Sequence, residues 1–86
     1  MQTSKNELGT QIVVLDRGWI YAGNVTIEGD MVKIHNAKNI RRWGTTKGLG
    51  ELVNGPIPNK TVADEAGEVT TTLKSVIHFI KCNQGW

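Results

Sequence analysis

The stretch Trp19-Ile20-Tyr21-Ala22-Gly23-Asn24-Val25-Thr26-Ile27-Glu28-Gly29-Asp30-Met31-Val32-Lys33-Ile34-His35-Asn36 decides the fold. A strand turns successive side chains to opposite faces, so residues two apart share a face. Trp19, Tyr21, Val25 and Ile27 share one parity and are expected to face the core, with Asn24, Thr26 and Glu28 outward. Glu28-Gly29-Asp30 supplies the turn chemistry of a hairpin. After the turn, Val32 and Ile34 point inward and Lys33 and His35 outward. Gly23 sits mid-strand, which marks a bulge or a close backbone approach.

Outward from the hairpin, Gln11 to Leu15 is a β-branched run that reads as a further strand. Asp16-Arg17-Gly18 is the turn that joins it to Trp19. These three strands form an antiparallel meander. Toward the C-terminus, Glu68 to Leu73 reads as a strand with Val69, Thr71 and Leu73 on one face. Lys74-Ser75 is a tight corner, and Val76 to Cys82 is a last strand, apolar on both faces and therefore expected to be central or covered. Asn59 to Ala66 is polar and supports at most a short strand or turn.

Ala37 to Pro58 behaves differently. It holds Gly44, Gly48, Gly50, Gly55, Pro56 and Pro58 and keeps no sustained period. It reads as a long loop with at most a helical turn at Ile40 to Trp43, since glycines oppose a longer helix. Loops of this length in a small domain are more often functional than idle. The expected fold is mainly β: a small antiparallel, SH3-like, partly open barrel. It has five to six short strands, a long glycine-rich loop and at most one short helical turn. The alternative is a twisted antiparallel sheet carrying one short helix. Residues 1–10 are expected as a flexible N-terminal arm, 11–82 as a single β domain and 83–86 as a C-terminal tail.

Composition agrees. The chain has 86 residues, enough for one core. Its 38% hydrophobic and 21% charged content fits a globular domain rather than disorder. No apolar run approaches the roughly 20 residues of a membrane helix. The polar segment Met1 to Thr10 does not read as a secretory leader, so the sequon Asn24-Val25-Thr26 reads as chance. Cys82 is alone, which excludes a disulfide framework and a cysteine zinc site within one chain. The expected compartment is the cytoplasm.

The charge is informative once divided. The net charge is +2, but Met31 to Gly50 contains Lys33, Lys38, Arg41, Arg42 and Lys47 and no acid. That segment suits an anionic partner, or is simply a solvated basic surface. Within it, Arg41-Arg42-Trp43-Gly44-Thr45-Thr46-Lys47-Gly48 holds the residue types that a phosphate-bearing aromatic ligand requires. Guanidinium groups match phosphate oxygens. Glycines let backbone N–H groups approach an anion. Thr45 and Thr46 add hydroxyl donors, and Trp43 offers a stacking face worth about 1–3 kcal/mol per base. The spacing fits neither the phosphate loop nor the dinucleotide fingerprint. The competing reading is structural: glycines for turns, Trp43 as a plug, and Arg41 and Arg42 paired with Glu51 or Asp64.

Catalytic constellations do not emerge. His35 and His78 are the only histidines and share no nucleophile, Cys82 has no acid–base neighbour, and the acids are scattered over turns. No spacing suggests a metal site. The chain is therefore expected to be a binding protein, with no cofactor or metal, rather than an enzyme.

The string Asn39-Ile40-Arg41-Arg42-Trp43-Gly44-Thr45-Thr46-Lys47-Gly48-Leu49-Gly50-Glu51-Leu52, followed by Asn54-Gly55-Pro56, resembles the signature of a family of small uncharacterised bacterial and phage proteins. The likeness runs from Ile12 to Cys82 and includes Asp16-Arg17-Gly18-Trp19. It implies a phage or prophage context and action in the host cell cytoplasm. The leading expectation is a binding protein for a phosphate-bearing nucleotide, such as a cyclic signalling nucleotide sequestered from host defence. Alternatives are a small nucleic-acid-binding module and a protein–protein inhibitor. The two-faced apolar last strand further points to a homo-oligomer, a dimer or tetramer.

Overall fold

The structure, a computed structural model, describes residues 5–45, 48–83 and 85–86. Five antiparallel strands make one sheet: β1 (Lys5–Leu15), β2 (Ile20–Glu28), β3 (Met31–Arg42), β4 (Val62–Thr72) and β5 (Val76–Lys81). Their order in the sheet is β4-β3-β2-β1-β5. The meander β1 to β4 is thus closed back by β5 against β1. Short 3₁₀ turns occupy Asp16–Gly18, Leu49–Asn54 and Leu73–Ser75. This is the expected small, SH3-like, partly open barrel.

The hairpin forms where the sequence places it. Glu28 pairs with Met31 across a two-residue loop, and Gly29 takes the positive φ that such a turn requires. Gly23 is a true close approach: a Cβ there would lie 2.7 Å from Ile34 Cγ2 and 2.9 Å from the His35 carbonyl oxygen. The β2–β3 register shifts at this point.

Apolar residues pack on both faces of the sheet. One face buries Val13, Leu15, Val25, Val32, Ile34 and Ala37, with Tyr21, Val69 and Phe79 at its margin. The opposite face buries Ile12, Ile20, Ala22 and Ile40 beneath Leu52 and Cys82, with Ile57 and Trp86 packed against them. The segment 49–57 and the C-terminal residues therefore form a second layer. Its parts are tied together: the Trp86 indole donates to the Leu52 carbonyl at 2.6 Å, and the Asn83 backbone N–H to the Val53 carbonyl at 2.6 Å.

Several expectations change. Strand β1 starts at Lys5, so residues 5–10 of the anticipated arm lie in the sheet, and residues 1–4 fall outside the described residues. Three strands have eleven or twelve residues and are not short. Ala37 to Arg42, read as loop with a helical turn at Ile40 to Trp43, is the second half of β3. Asn36 takes φ 52° and absorbs a bulge, which reverses the parity of the strand and hides its period. Trp19 is 55% exposed instead of buried, and Thr26 is buried instead of outward. Strand β5 lies at the sheet edge, not centrally; Phe79 and Ile80 pack against opposite faces while Ile77 is 62% exposed.

Candidate functional site

The basic segment becomes a different object in three dimensions. Along β3, Lys33 pairs with Glu28 (3.6 Å), His35 with Glu68 (3.0 Å) and Lys38 with Glu65 (3.8 Å), and Arg41 Nε meets Asp64 Oδ2. The acids come from β2 and β4, the two strands beside β3. A run that is +5 in sequence is therefore a strand between acidic neighbours. Exposed pairs of this kind contribute about 0.2–1 kcal/mol each, but they cancel most of the field that the sequence alone suggests.

The charge that stays concentrated lies at the far end of the β2–β3 ladder. The turn Asp16–Gly18 holds Arg17 at φ 62° and Gly18 at φ 84° and is closed by a 2.8 Å hydrogen bond from the Leu15 N–H to the Trp19 carbonyl. Left-handed backbone is uncommon for arginine. The turn delivers Trp19 to the start of β2, where its ring lies nearly parallel to that of Tyr21, with centroids 6.5 Å apart and an 11° interplanar angle. Tyr21 pairs with Asn39, so the same register carries Trp19 opposite Arg41. Asn39 is fixed across the ladder by a 3.2 Å hydrogen bond to the Ile20 carbonyl. The result is an open groove of about 290 Å³ lined by Arg17, Gly18, Trp19, Asn39, Ile40 and Arg41.

The expected site residues divide around this groove. Arg41 lines it, and its Asp64 partner engages Nε, leaving the terminal N–H groups for an acceptor. The β3–β4 register slips between Ile40 and Arg42, so that Ile40 opposes Ala63 and Arg42 opposes Val62. This bulge turns Arg42 to the face that carries Arg41 and Asp64. Arg42 is exposed and forms no ion pair among the described residues. Trp43 is 41% exposed, and its carbonyl accepts the Thr61 hydroxyl at 2.6 Å. Gly44 has a structural reason for being glycine: at φ 70°, a Cβ would sit 2.5 Å from the Lys60 carbonyl carbon. Thr45 follows it, half-buried. Gly48 takes φ 101° in open space at the start of the Leu49–Asn54 turn. Thr46 and Lys47 lie outside the described residues.

Sequence reasoning missed Arg17, Trp19 and Asn39. A signal was present: a tryptophan directly after a tight turn occupies a strand end, where a ring is easily left exposed. Elsewhere the chemistry is quiet. Burial pushes the Cys82 thiol above its ordinary value, against a smaller opposing effect of a backbone hydrogen bond with Ile12, so the thiolate is disfavoured. Among the described residues no three His, Cys, Asp or Glu side chains cluster as metal ligands. No helix among them is long and apolar enough to cross a membrane. A larger cavity, about 360 Å³, lies at the opposite end of the ladder beside Asp30, Thr72, Leu73 and Lys74, but it has no ring to stack on. Compared with protein-family models, curated proteins and solved structures, the chain matches none.

Proposed function

We infer that the protein is a non-catalytic binding protein for a phosphate-bearing nucleotide, held in the groove between the Asp16–Gly18 turn and the end of β3. The observation that carries this reading is the exposed Trp19 lining one open groove together with Arg17 and Arg41. An aromatic face takes a base and a guanidinium takes phosphate oxygens. Asn39 lines the same groove and offers an amide to the edge of a base or a ribose hydroxyl. Arg42 and Trp43 extend the surface beyond the groove. The binding role predicted for Arg41 to Gly48 thus shifts toward β2, with Arg41 common to both. The likeness to phage proteins adds a biological setting: sequestration of a signalling nucleotide, such as a cyclic one, in the host cytoplasm as an anti-defence device.

The competing reading is a nucleic-acid-binding surface. The ion pairs along β3 count against it, because a long polyanion gains affinity from many free cations releasing counterions together. The same reading includes self-association. Strand β5 is a sheet edge with an exposed Ile77, and pairing two β5 edges about a twofold axis would cover both.

The test is direct. The protein is incubated with a cellular nucleotide extract, washed and heat-denatured, and the released small molecules are identified by mass spectrometry. The expected result is one nucleotide class, depleted in Arg41→Ala. Equal release from parent and variant overturns the assignment.

A further inference from the structure

A third pocket lies on the sheet face that Leu52 and Trp86 cover and belongs to neither the groove nor the glycine-rich segment. Its floor is a cross-strand row. Thr10 of β1 pairs with Asn24 of β2, which pairs with His35 of β3. Paired residues share a face, so these three side chains rise from the sheet side by side. Asn36 and Lys38 continue the floor along β3, Gly23 leaves its centre without a side chain, and Trp86 forms a wall. The pocket measures about 150 Å³ and exists because two irregularities coincide. The β2–β3 register slips at Gly23, and Asn36 adopts φ 52° opposite it.

The lining defines the ligand. Both basic side chains already have carboxylate partners on β4: His35 with Glu68 at 3.0 Å and Lys38 with Glu65 at 3.8 Å. The pocket therefore has no strong call for an anion. The Trp86 indole N–H is committed to the Leu52 carbonyl, so Trp86 offers its ring alone. What remains uncommitted among the described residues is two carboxamides, Asn24 and Asn36, and the Thr10 hydroxyl. A carboxamide presents a donor and an acceptor together and matches a ring edge that alternates them. An apolar cavity of about 150 Å³ admits benzene, so this volume suits one ring and crowds two.

From this geometry we propose that the pocket beside Trp86 binds a single-ring heterocycle with an amide-like edge, of the pyrimidine-base class, read by Asn24 and Asn36 with its face against Trp86. The site is independent of the groove and does not rest on the nucleotide reading.

The test titrates free uracil, cytosine and adenine into the ¹⁵N-labelled protein and follows side-chain amide and indole resonances by NMR. The expected result is saturable shifts with uracil or cytosine at Asn24, Asn36 and Trp86. A lone ring is a weak ligand, so dissociation constants on the order of 1 mM are expected, with adenine weaker by about tenfold because of its size. Asn36→Gly removes the carboxamide while suiting the positive φ, so it stays folded and is expected to lose the response. Arg41→Ala is expected to keep it. No saturable shift with either pyrimidine, or an unchanged response in Asn36→Gly, overturns the proposal.

Discussion

Replacing Leu52 with alanine tests whether the glycine-rich segment is a packed layer or a free loop. Leu52 is fully buried, sits over Ile12, Ile20, Ala22 and Ile40, and its carbonyl receives the Trp86 indole at 2.6 Å. The substitution removes apolar groups worth about 0.8 kcal/mol per methylene and leaves a cavity that adds about 24 cal/mol per Å³. Buried Leu→Ala changes fall at about 2.7–5 kcal/mol. Leu52 packs its side chain against one face of the sheet only, which favours the lower part of that range, about 3 kcal/mol. For a domain of this size that lowers the melting temperature by roughly 12–24 °C. Urea denaturation with an unchanged slope measures it. Lys60→Ala, at an exposed side chain, serves as the control and should stay within about 0.5 kcal/mol of the parent. A loss below about 1 kcal/mol for Leu52→Ala would refute the two-layer reasoning.

Other perturbations separate the structural from the binding roles. Gly44→Ala should destabilise by about 1–3 kcal/mol, since the new Cβ meets the Lys60 backbone at φ 70°; an unchanged urea midpoint contradicts that contact. Lys38→Met should change stability by less than about 1 kcal/mol, because its Glu65 partner is solvent-exposed; a larger loss in the same assay would show that the β3 ion pairs do more than cancel charge. Light scattering at low micromolar concentration should report a mass above the 9.5 kDa chain, falling toward it in Ile77→Lys. A parent mass equal to one chain leaves the β5 edge unpartnered.

How much of this was legible in the sequence depends on where the chain keeps its period. The hairpin from Ile20 to Ile34 was readable because its alternation is unbroken around Gly29-Asp30, and Gly23 announced its own close approach. Ala37 to Arg42 was not, because the bulge at Asn36 shifts the inward residues from Val32 and Ile34 to Ala37. Ile20, Ala22 and Ile40 fall on what looks like an outward face until residues 49–57 are seen to cover it. Charge misled for a related reason. Glu28, Asp64, Glu65 and Glu68 lie outside the basic run in sequence and reach it only through strand pairing. Of the anticipated site, Arg41 and Arg42 come together on one face because of a second bulge, while Gly44 is explained by packing and Trp19, not Trp43, lines the groove with Arg41.

The central claim is that the Trp19 groove holds a nucleotide. Calorimetric titration of a cyclic dinucleotide into the parent and into folded Trp19→Ala tests it most directly. The account predicts saturable binding to the parent and an affinity weaker by roughly tenfold to a hundredfold in the variant, the worth of one base stacked on an aromatic ring. No binding heat with the parent, or equal affinity in the two proteins, would contradict it.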